Sequence, residues 1–453
     1  MSDSRNTEVA NVAPAEGSSH WPSPIVGWYS VSVLMLAYIV SYVDRQILTQ
    51  LVGPIRADLG ITDTQFSLLH GLAFALFYTI MGIPIARLAD RRSRRAVVVS
   101  GVAFWSVMTG ICGMASNFWQ LFAARVGVGI GEAALSPAAY SMISDLFPKE
   151  RRGAALGLYS AGAFLGIGFA FMIGAFVISK LQGIDVVTLP LVGDVRPWQS
   201  VFFIVGFPGL LAAGLLLTVR EPVRRDSLAA AKGQPSSIGD LLDFLKLNRA
   251  TILTHFLGFS TITLVFNGIL TWAPAYFDRR HGIPVQDSGT PLGLIVVVFG
   301  TAGIFLGGVL SDHYLSKGKT HGPLIVGLIS ASVLVPVAGT LSLVENPMIS
   351  MAIFAPFVFF VGFPFAAAIA GLQMITPNRL RAQVGALYLF FINLTGIGFG
   401  GTFTALFTDY VFGSDQMLHY SMAIVGAGGS LVAALLLFCA IGPFKVSAAR
   451  HSA

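Results

Sequence analysis

Apolar runs long enough to cross a bilayer recur along nearly the whole chain. A spanning helix needs about 20 mostly apolar residues. Twelve runs meet that length, at roughly residues 25–52, 64–88, 95–114, 117–144, 153–180, 198–219, 250–277, 290–313, 321–344, 347–376, 381–408 and 417–441. They are too long for strands and do not alternate, and Gly and Pro inside them are normal for membrane helices. The pattern predicts an all-α membrane protein of twelve transmembrane helices. Residues 1–24 are polar and lack the short apolar core of a signal peptide, so they read as a disordered tail. The longest connection, 220–249, divides the spans six and six. It holds Arg220, Arg224, Arg225, Lys232, a Gly-Gln-Pro-Ser-Ser stretch and an amphipathic piece, Ile238–Leu247. It reads as a cytoplasmic linker carrying a surface helix. The domain reading is two six-helix bundles, 25–219 and 250–441, with a C-terminal tail at 442–453.

Composition narrows the class. Hydrophobic residues make up 55 % and charged residues only 11 %, against roughly 25 % charged in a soluble domain. That argues against a soluble enzyme, a nucleic-acid-binding module and a disordered chain. Cys112 and Cys439 both lie inside apolar segments, which leaves no disulfide framework and no zinc site. The basic residues set an orientation. Of 28, Arg56, Lys180, Arg196, Arg279 and Arg280 fall in loops on one side and Arg45 and Arg125 within spans; the remaining 21 fall in the loops and tails of the other side. The positive-inside bias then puts both termini in the cytoplasm.

The two halves echo each other. Ala-Arg-Leu-Ala-Asp90 follows span 2 and Gly308-Val-Leu-Ser-Asp312 follows span 8, at an offset of 222. After span 4 the chain reads Pro148-x-x-x-Arg152 and Leu158-Tyr159; after span 10 it reads Pro377-x-x-x-Arg381 and Leu387-Tyr388, at an offset of 229. Two six-span halves with matching inner loops describe a parallel repeat about the membrane normal, the plan of a rocking transporter with its site at midplane.

Four full charges lie within spans: Asp44 and Arg45 in span 1, Arg125 and Glu132 in span 4. Each costs at least ~2.5–3.5 kcal/mol at the bilayer centre, so each should face a cavity or a partner. At ~1.5 Å per residue, Asp44 sits about 7 Å and Arg125 about 9 Å to the same side of the midplane, which makes an ion pair between them plausible. Glu132 lies near the centre, two turns from Arg125 and on the same face. A neutral packing cluster is the competing reading. The functional one is a polar substrate site with a titratable acid, Glu132 first and Asp44 second as proton carrier, and Arg45 or Arg125 as the fork for an anionic headgroup. Tyr42 in span 1 and His70 in span 2 are further candidates. Spans 7 to 12 carry no central charge, but hold aromatics and amides such as Phe256, Phe259, Phe391, Asn267, Tyr388 and Asn393. A cavity charged on one half and aromatic on the other suits an amphiphile. Gly127-x-Gly129-x-Gly131 imitates a phosphate loop but lies mid-helix, where close packing accounts for it. No Walker loop, zinc-protease motif or nucleophile elbow appears, so no catalytic site, metal or cofactor is implied.

Ala86-Arg-Leu-Ala-Asp90-Arg91-Arg92-Ser93-Arg94-Arg95 resembles the loop 2–3 signature of the major facilitator superfamily, with Ala86 and Ser93 in place of its two glycines. The second copy keeps Gly308, Asp312 and Gly318. The resemblance implies a latch at the cytoplasmic ends formed by Asp90, Arg91 and Arg95, with Asp312 as the counterpart. Arg125-x-x-x-Gly129-x-Gly131 is similar to the family's span 4 motif, whose arginine is linked to proton transfer. A narrower resemblance is to the spinster branch, the sphingosine-1-phosphate and lysophospholipid transporters. It rests on Ser41-Tyr42-Val43-Asp44-Arg45, Phe104-Trp105-Ser106, Arg125-Val-Gly-Val-Gly-Ile-Gly-Glu132-Ala, Ser144-Asp145-Leu146-Phe147-Pro148 and Arg220-Glu221-Pro222.

The expectation is a proton-coupled secondary transporter working by alternating access on an amphipathic anionic lipid. It would be a monomer in the bacterial inner (plasma) membrane, with the bilayer, the substrate and protons as partners and no nucleic acid. The alternatives are an organic-anion or multidrug carrier of the same fold, and a receptor or scaffold without flux.

Overall fold

A computed structural model describes residues 21–190, 192–224, 238–377 and 379–452. Among the described residues, eleven helical stretches are long and apolar enough to cross a membrane: Pro24–Gln50, Asp63–Arg91, Arg94–Cys112, Glu150–Lys180, Pro197–Leu216, Arg249–Leu270, Val285–Ser316, Gly322–Leu341, Pro347–Ile375, Gln383–Phe412 and Asp415–Arg450. They are spans 1–3 and 5–12. Span 4 is the twelfth, and it is broken into Phe118–Glu132 and Leu135–Leu146. Pro137 favours the break, because its ring crowds the carbonyl four residues earlier, at Ala133. Span 10 has the matching interruption at Phe363–Pro364, between Pro347–Gly362 and Phe365–Ile375. Both breaks fall at mid-span.

The helix pairings repeat. In the first half spans 1 and 5, 3 and 6, 3 and 4, 2 and 4, and 1 and 6 pack together, and each pair recurs six spans later. The halves meet along two seams, span 2 against span 11 and span 5 against span 8. Both are glycine-lined. A Cβ on Gly71 would stand 2.7 Å from the Gly398 and Ile397 carbonyl oxygens, and one on Gly168 would stand 2.6 Å from that of Gly293. These contacts lie toward the end that carries Arg56, Asp63, Arg279 and Asp415, hereafter the closed end. Toward the other end, Tyr140 of span 4 and Phe365 of span 10 stay exposed although they lie on mid-bundle helices. The halves therefore part toward the end that carries Asp90 and Asp312.

Three features depart from the expected layout. The connection between spans 5 and 6 contains a small antiparallel hairpin, β1 (Val187–Leu189) and β2 (Gly193–Val195). The last helix runs Leu418–Ser452, through the expected C-terminal tail. It continues because Phe444 is buried and Ser447 bonds Thr251 at 2.8 Å. Span 1 ends in a tightened turn, Ile47–Gln50. The amphipathic piece of the linker is a helix, Ile238–Leu247, joined to the turn after span 10 by Asp240 and Arg379 at 3.6 Å. The expected N-terminal tail lies almost wholly outside the described residues, as do Arg225, Lys232 and the Gly-Gln-Pro-Ser-Ser stretch.

Candidate functional site

Glu132 is the last residue before the break in span 4, opposite span 1. One oxygen, Oε2, accepts from both Arg45 Nη2 and Ser41 Oγ, each at 2.6 Å. The other, Oε1, is buried with no hydrogen-bond partner. The Arg45 guanidinium lies over three rings, Phe74 at 4.2 Å, Tyr42 at 4.6 Å and Tyr78 at 5.5 Å, a favourable placement for a poorly hydrated cation. Arg45 and Glu132 are thus a buried ion pair under an aromatic roof, with Tyr42 and Tyr78 partly exposed above it.

The expected pairing of Asp44 with Arg125 is corrected. Arg125 Nη1 reaches the backbone carbonyl of Asp44 at 3.4 Å, and the Asp44 carboxylate takes Thr109 Oγ1 at 3.3 Å from span 3. Both side chains are fully buried among spans 1, 3 and 4, behind the Arg45–Glu132 pair rather than at the gap between the halves. His70 is buried in a widened π turn, Leu68–Leu72, at the seam with span 11.

Sequence reasoning missed a tyrosine layer around the pair. Tyr38 stacks on Tyr159 at 4.6 Å and meets Tyr42 edge-on at 5.0 Å, Tyr140 closes on Tyr159 at 5.3 Å, and Ser136 Oγ lies 3.3 Å from the Tyr159 hydroxyl. These residues come from spans 1, 4 and 5, and no one segment announces them. The only signal was the repeat that matches Tyr159 with Tyr388.

In the second half, spans 7, 10 and 11 form a narrow apolar crevice of about 30 Å³ lined by residues that include Phe259, Thr263, Val361, Phe365, Ile369 and Tyr388. The repeat offset of 229 carries Glu132 to Val361, Ser136 to Phe365, Tyr140 to Ile369 and Tyr159 to Tyr388; the offset of 222 carries Ser41 to Thr263 and Arg45 to Asn267. The crevice is therefore the second copy of the ionised site, with Glu132, Ser136 and Tyr140 replaced by apolar side chains while Thr263 and Tyr388 keep a hydroxyl. Tyr388 packs edge-on against Phe256 at 5.3 Å. Asn267 donates to the Thr263 carbonyl at 2.9 Å. Asn393 opens another π turn, Asn393–Gly398, in span 11 and is partly exposed.

The residues expected to latch the other end are not joined across the halves. Asp90, Arg91 and Asp312 are exposed, and Arg95 Nη1 donates to the carbonyls of Leu217 and Val219 at the end of span 6. The buried partner is its neighbour Arg94, which pairs with Asp145 and Glu221 and donates to Ser141 and the Pro222 carbonyl. Glu221 caps span 3, accepting from Ser93 Oγ and from the backbone N–H groups of Arg94 and Arg95. Burial alone would push its carboxyl up, but those donors outweigh it and hold the group below its usual range. Arg224 donates to the carbonyls of Ala89, Asp90 and Arg92. The first residues of the linker are thereby fastened to loop 2–3.

Comparison with known proteins agrees with this architecture. The profile of the Major Facilitator Superfamily matches residues 34–401. An MFS-type efflux pump of Mycolicibacterium smegmatis is 29 % identical over 369 residues, 81 % of each chain. A probable L-galactonate transporter of Escherichia coli is 26 % identical, covering 88 % of this chain and 86 % of the relative. The crystal structure of a bacterial homolog of the human lysosomal transporter Spinster, inward-facing and unoccupied, superposes with a TM-score of 0.75 at 26 % identity, over 94 % of this chain and 98 % of that one. Twelve spans in two repeated halves, a divided mid-bundle site and a profile match over most of the sequence make this chain a membrane transporter that belongs to the major facilitator superfamily.

Proposed function

We propose that the protein is a secondary active transporter that moves an amphipathic anion, of the lysophospholipid or sphingosine-1-phosphate type, by alternating access coupled to protons. The observation that carries this reading is the unequal pair of repeated sites. Arg45, Glu132 and the tyrosine hydroxyls offer a polar, cationic subsite in one half, and the crevice around Val361, Phe365 and Tyr388 offers an apolar one in the other. An anionic headgroup would displace Glu132 from Arg45, and the released carboxylate would take a proton on its free Oε1. Binding of substrate and proton is then linked through one arginine. Asp44, Arg125 and His70 form the buried support behind that exchange, with Asn267 and Asn393 on the opposite wall. The excess of basic loops at the open end supports reading that end as cytoplasmic, with both termini, in a bacterial plasma membrane. Asp90, Arg91, Arg95 and Asp312 then serve as the latch that forms when the cytoplasmic end closes.

The test is uptake of labelled lysolipids into vesicles holding the purified protein, with and without a pH gradient, in competition with headless amphiphiles of increasing chain length and with sugar acids. Lipid transport predicts gradient-driven uptake inhibited more strongly by longer chains. Uptake of sugar acids indifferent to chain length would support the organic-anion reading, as the L-galactonate relative suggests. No flux of any cargo would favour a receptor.

A further inference from the structure

At the open end, one corner of the second half gathers cations from two elements. Span 8 closes in a rigid turn. Gly318 takes a φ of 74°, its N–H and that of Lys319 donate to the Leu315 and Tyr314 carbonyls at 2.9 and 3.0 Å, and a Cβ on Gly322 would stand 2.6 Å from that of Tyr314. The turn holds Lys319 and His321 in fixed places at the head of span 9, with the Lys319 ammonium 5.4 Å from the Tyr314 ring. Span 12 runs antiparallel beside span 9: Ser342 donates to the His419 carbonyl, a Cβ on Gly339 would meet Ala427, and one on Gly327 would meet Leu437. Counting on equally along both helices brings Pro443–Lys445 level with His321. Lys445 is exposed, and it ends a stripe of exposed residues at helical spacing, Leu431, Leu435, Phe438 and Gly442. Neither lysine joins an ion pair among the described residues. Partial burial, and then the like charges of Lys445 and Lys319, hold the His321 imidazole below its ordinary range.

We infer that this corner binds the phosphate headgroup of an anionic membrane lipid, with Lys319, His321 and Lys445 around the phosphate and an acyl chain along the apolar stripe of span 12. The stripe and the cations are continuous, so they offer the two parts of one lipid their complements: hydrocarbon meets Leu431, Leu435 and Phe438, and the headgroup meets the ammonium groups where the span leaves the bilayer. A soluble anion would use the cations and gain nothing from the stripe, which singles out the lipid. The phosphate also supplies the negative charge that the corner lacks, and so relieves the repulsion among its three basic groups. Lysines meet a phosphate as point charges, so arginine can take their place here. All the contributing residues belong to the second half. The lipid therefore rides with that half and touches neither seam, and it is separate from the Arg45–Glu132 pair, which belongs to the first half.

The test uses the full chain, purified in a neutral detergent, with phosphatidylglycerol as the anionic probe and phosphatidylcholine as the neutral one. Native mass spectrometry reads the lipid retained, and thermal unfolding reads the stabilisation each lipid adds. The parent is compared with Lys319→Gln/Lys445→Gln and with Lys319→Arg/Lys445→Arg. A matched control, Lys246→Gln/Arg249→Gln, removes the same charge from exposed positions on the linker helix and at the start of span 7. At about fivefold per cation, Lys319→Gln/Lys445→Gln should bind phosphatidylglycerol about thirtyfold more weakly than the parent. It should lose the stabilisation that this lipid adds and unfold like the parent in phosphatidylcholine. The arginine variant and the matched control should bind as the parent does. Unchanged retention in Lys319→Gln/Lys445→Gln would overturn the site. Equal weakening in Lys246→Gln/Arg249→Gln would also overturn it, since net charge rather than this corner would then set binding. Equal weakening in the arginine variant would do the same, because the charges are kept there. Protection by inorganic phosphate as strong as that by phosphatidylglycerol would overturn the lipid as the occupant.

Discussion

Asp44 and Arg45 are neighbours in the sequence but point about 100° apart around their helix, and that angle separates their roles. Depth along the membrane could be counted from the sequence; azimuth could not, which is why Asp44 was matched to Arg125 while the structure matches Arg45 to Glu132. The buried pair makes a sharp prediction. Arg45→Gln leaves the Glu132 carboxylate in a dry site with only Ser41 to satisfy it. Removing one member of a buried pair costs about 3–5 kcal/mol, whereas removing both charges costs far less. Thermal unfolding in detergent should therefore rank Arg45→Gln as markedly less stable than the double variant Arg45→Gln/Glu132→Gln. Equal stability of the two would show that Glu132 carries no such penalty once Arg45 is gone. Glu132→Gln alone should abolish gradient-driven accumulation and leave substrate exchange in vesicles, since the anion site keeps Arg45 while the proton carrier is lost. Undiminished uphill transport in that variant would remove Glu132 from proton coupling. The tyrosine layer was not legible for a related reason: Tyr38, Tyr140 and Tyr159 come from three spans and converge only in three dimensions.

At the scale of elements, hydropathy located the start of each span to within about five residues but not every end, and could not see their irregularities. Pro137 is visible in the sequence, yet so are Pro84 and Pro208, which remain inside unbroken helices. What differs is that the turn at Ala133–Ala134 leaves Glu132 at a helix end beside Arg45, so tertiary pairing selects which proline breaks its helix. The hairpin β1–β2 escaped because its strands have three residues each, too few for a periodic signal. The attachment of the linker to loop 2–3 is only partly visible: Glu221 stands in the Arg220-Glu221-Pro222 motif, but nothing in that motif marks it as the cap of span 3. Losing a helix cap costs about 0.5–2 kcal/mol, so Glu221→Gln should lower the unfolding temperature of the purified protein near neutral pH. The sign of the pH dependence follows from the lowered carboxyl value. The ionised form is the one the cap holds, so its contribution is complete above the ordinary glutamate range. It is lost as pH falls through the depressed folded value. The gap between parent and Glu221→Gln should narrow in acid; a gap that persists at a pH where the carboxyl is protonated would show that shape, not charge, makes the cap.

For the whole molecule, the internal repeat was the most informative feature of the sequence, because one operation accounts for both the helix pairings and the two seams. Span 2 against span 11 becomes span 8 against span 5 when the halves are exchanged, so the closed end is held on both flanks by the same kind of contact. The difference between the halves is chemical: Arg45 and Glu132 are ionised in one, and their counterparts Asn267 and Val361 are uncharged in the other. A rocking mechanism requires the seams to form and part in every cycle, whereas the proposed proton coupling requires Glu132. The two requirements separate experimentally. A leucine at Gly71 would drive its side chain into the Gly398 and Ile397 carbonyls, which belong to helix backbone and cannot turn aside. Gly71→Leu should therefore hold the closed end apart and stop gradient-driven uptake and substrate exchange alike, because exchange too needs the site to face each side in turn. Glu132→Gln should stop only the first. Measuring both modes in the same vesicles distinguishes a jammed carrier from an uncoupled one. If Gly71→Leu exchanged substrate at the parent rate, the halves would not need to meet along that seam, and the site would reach the two sides by a movement other than the rocking of two rigid bundles.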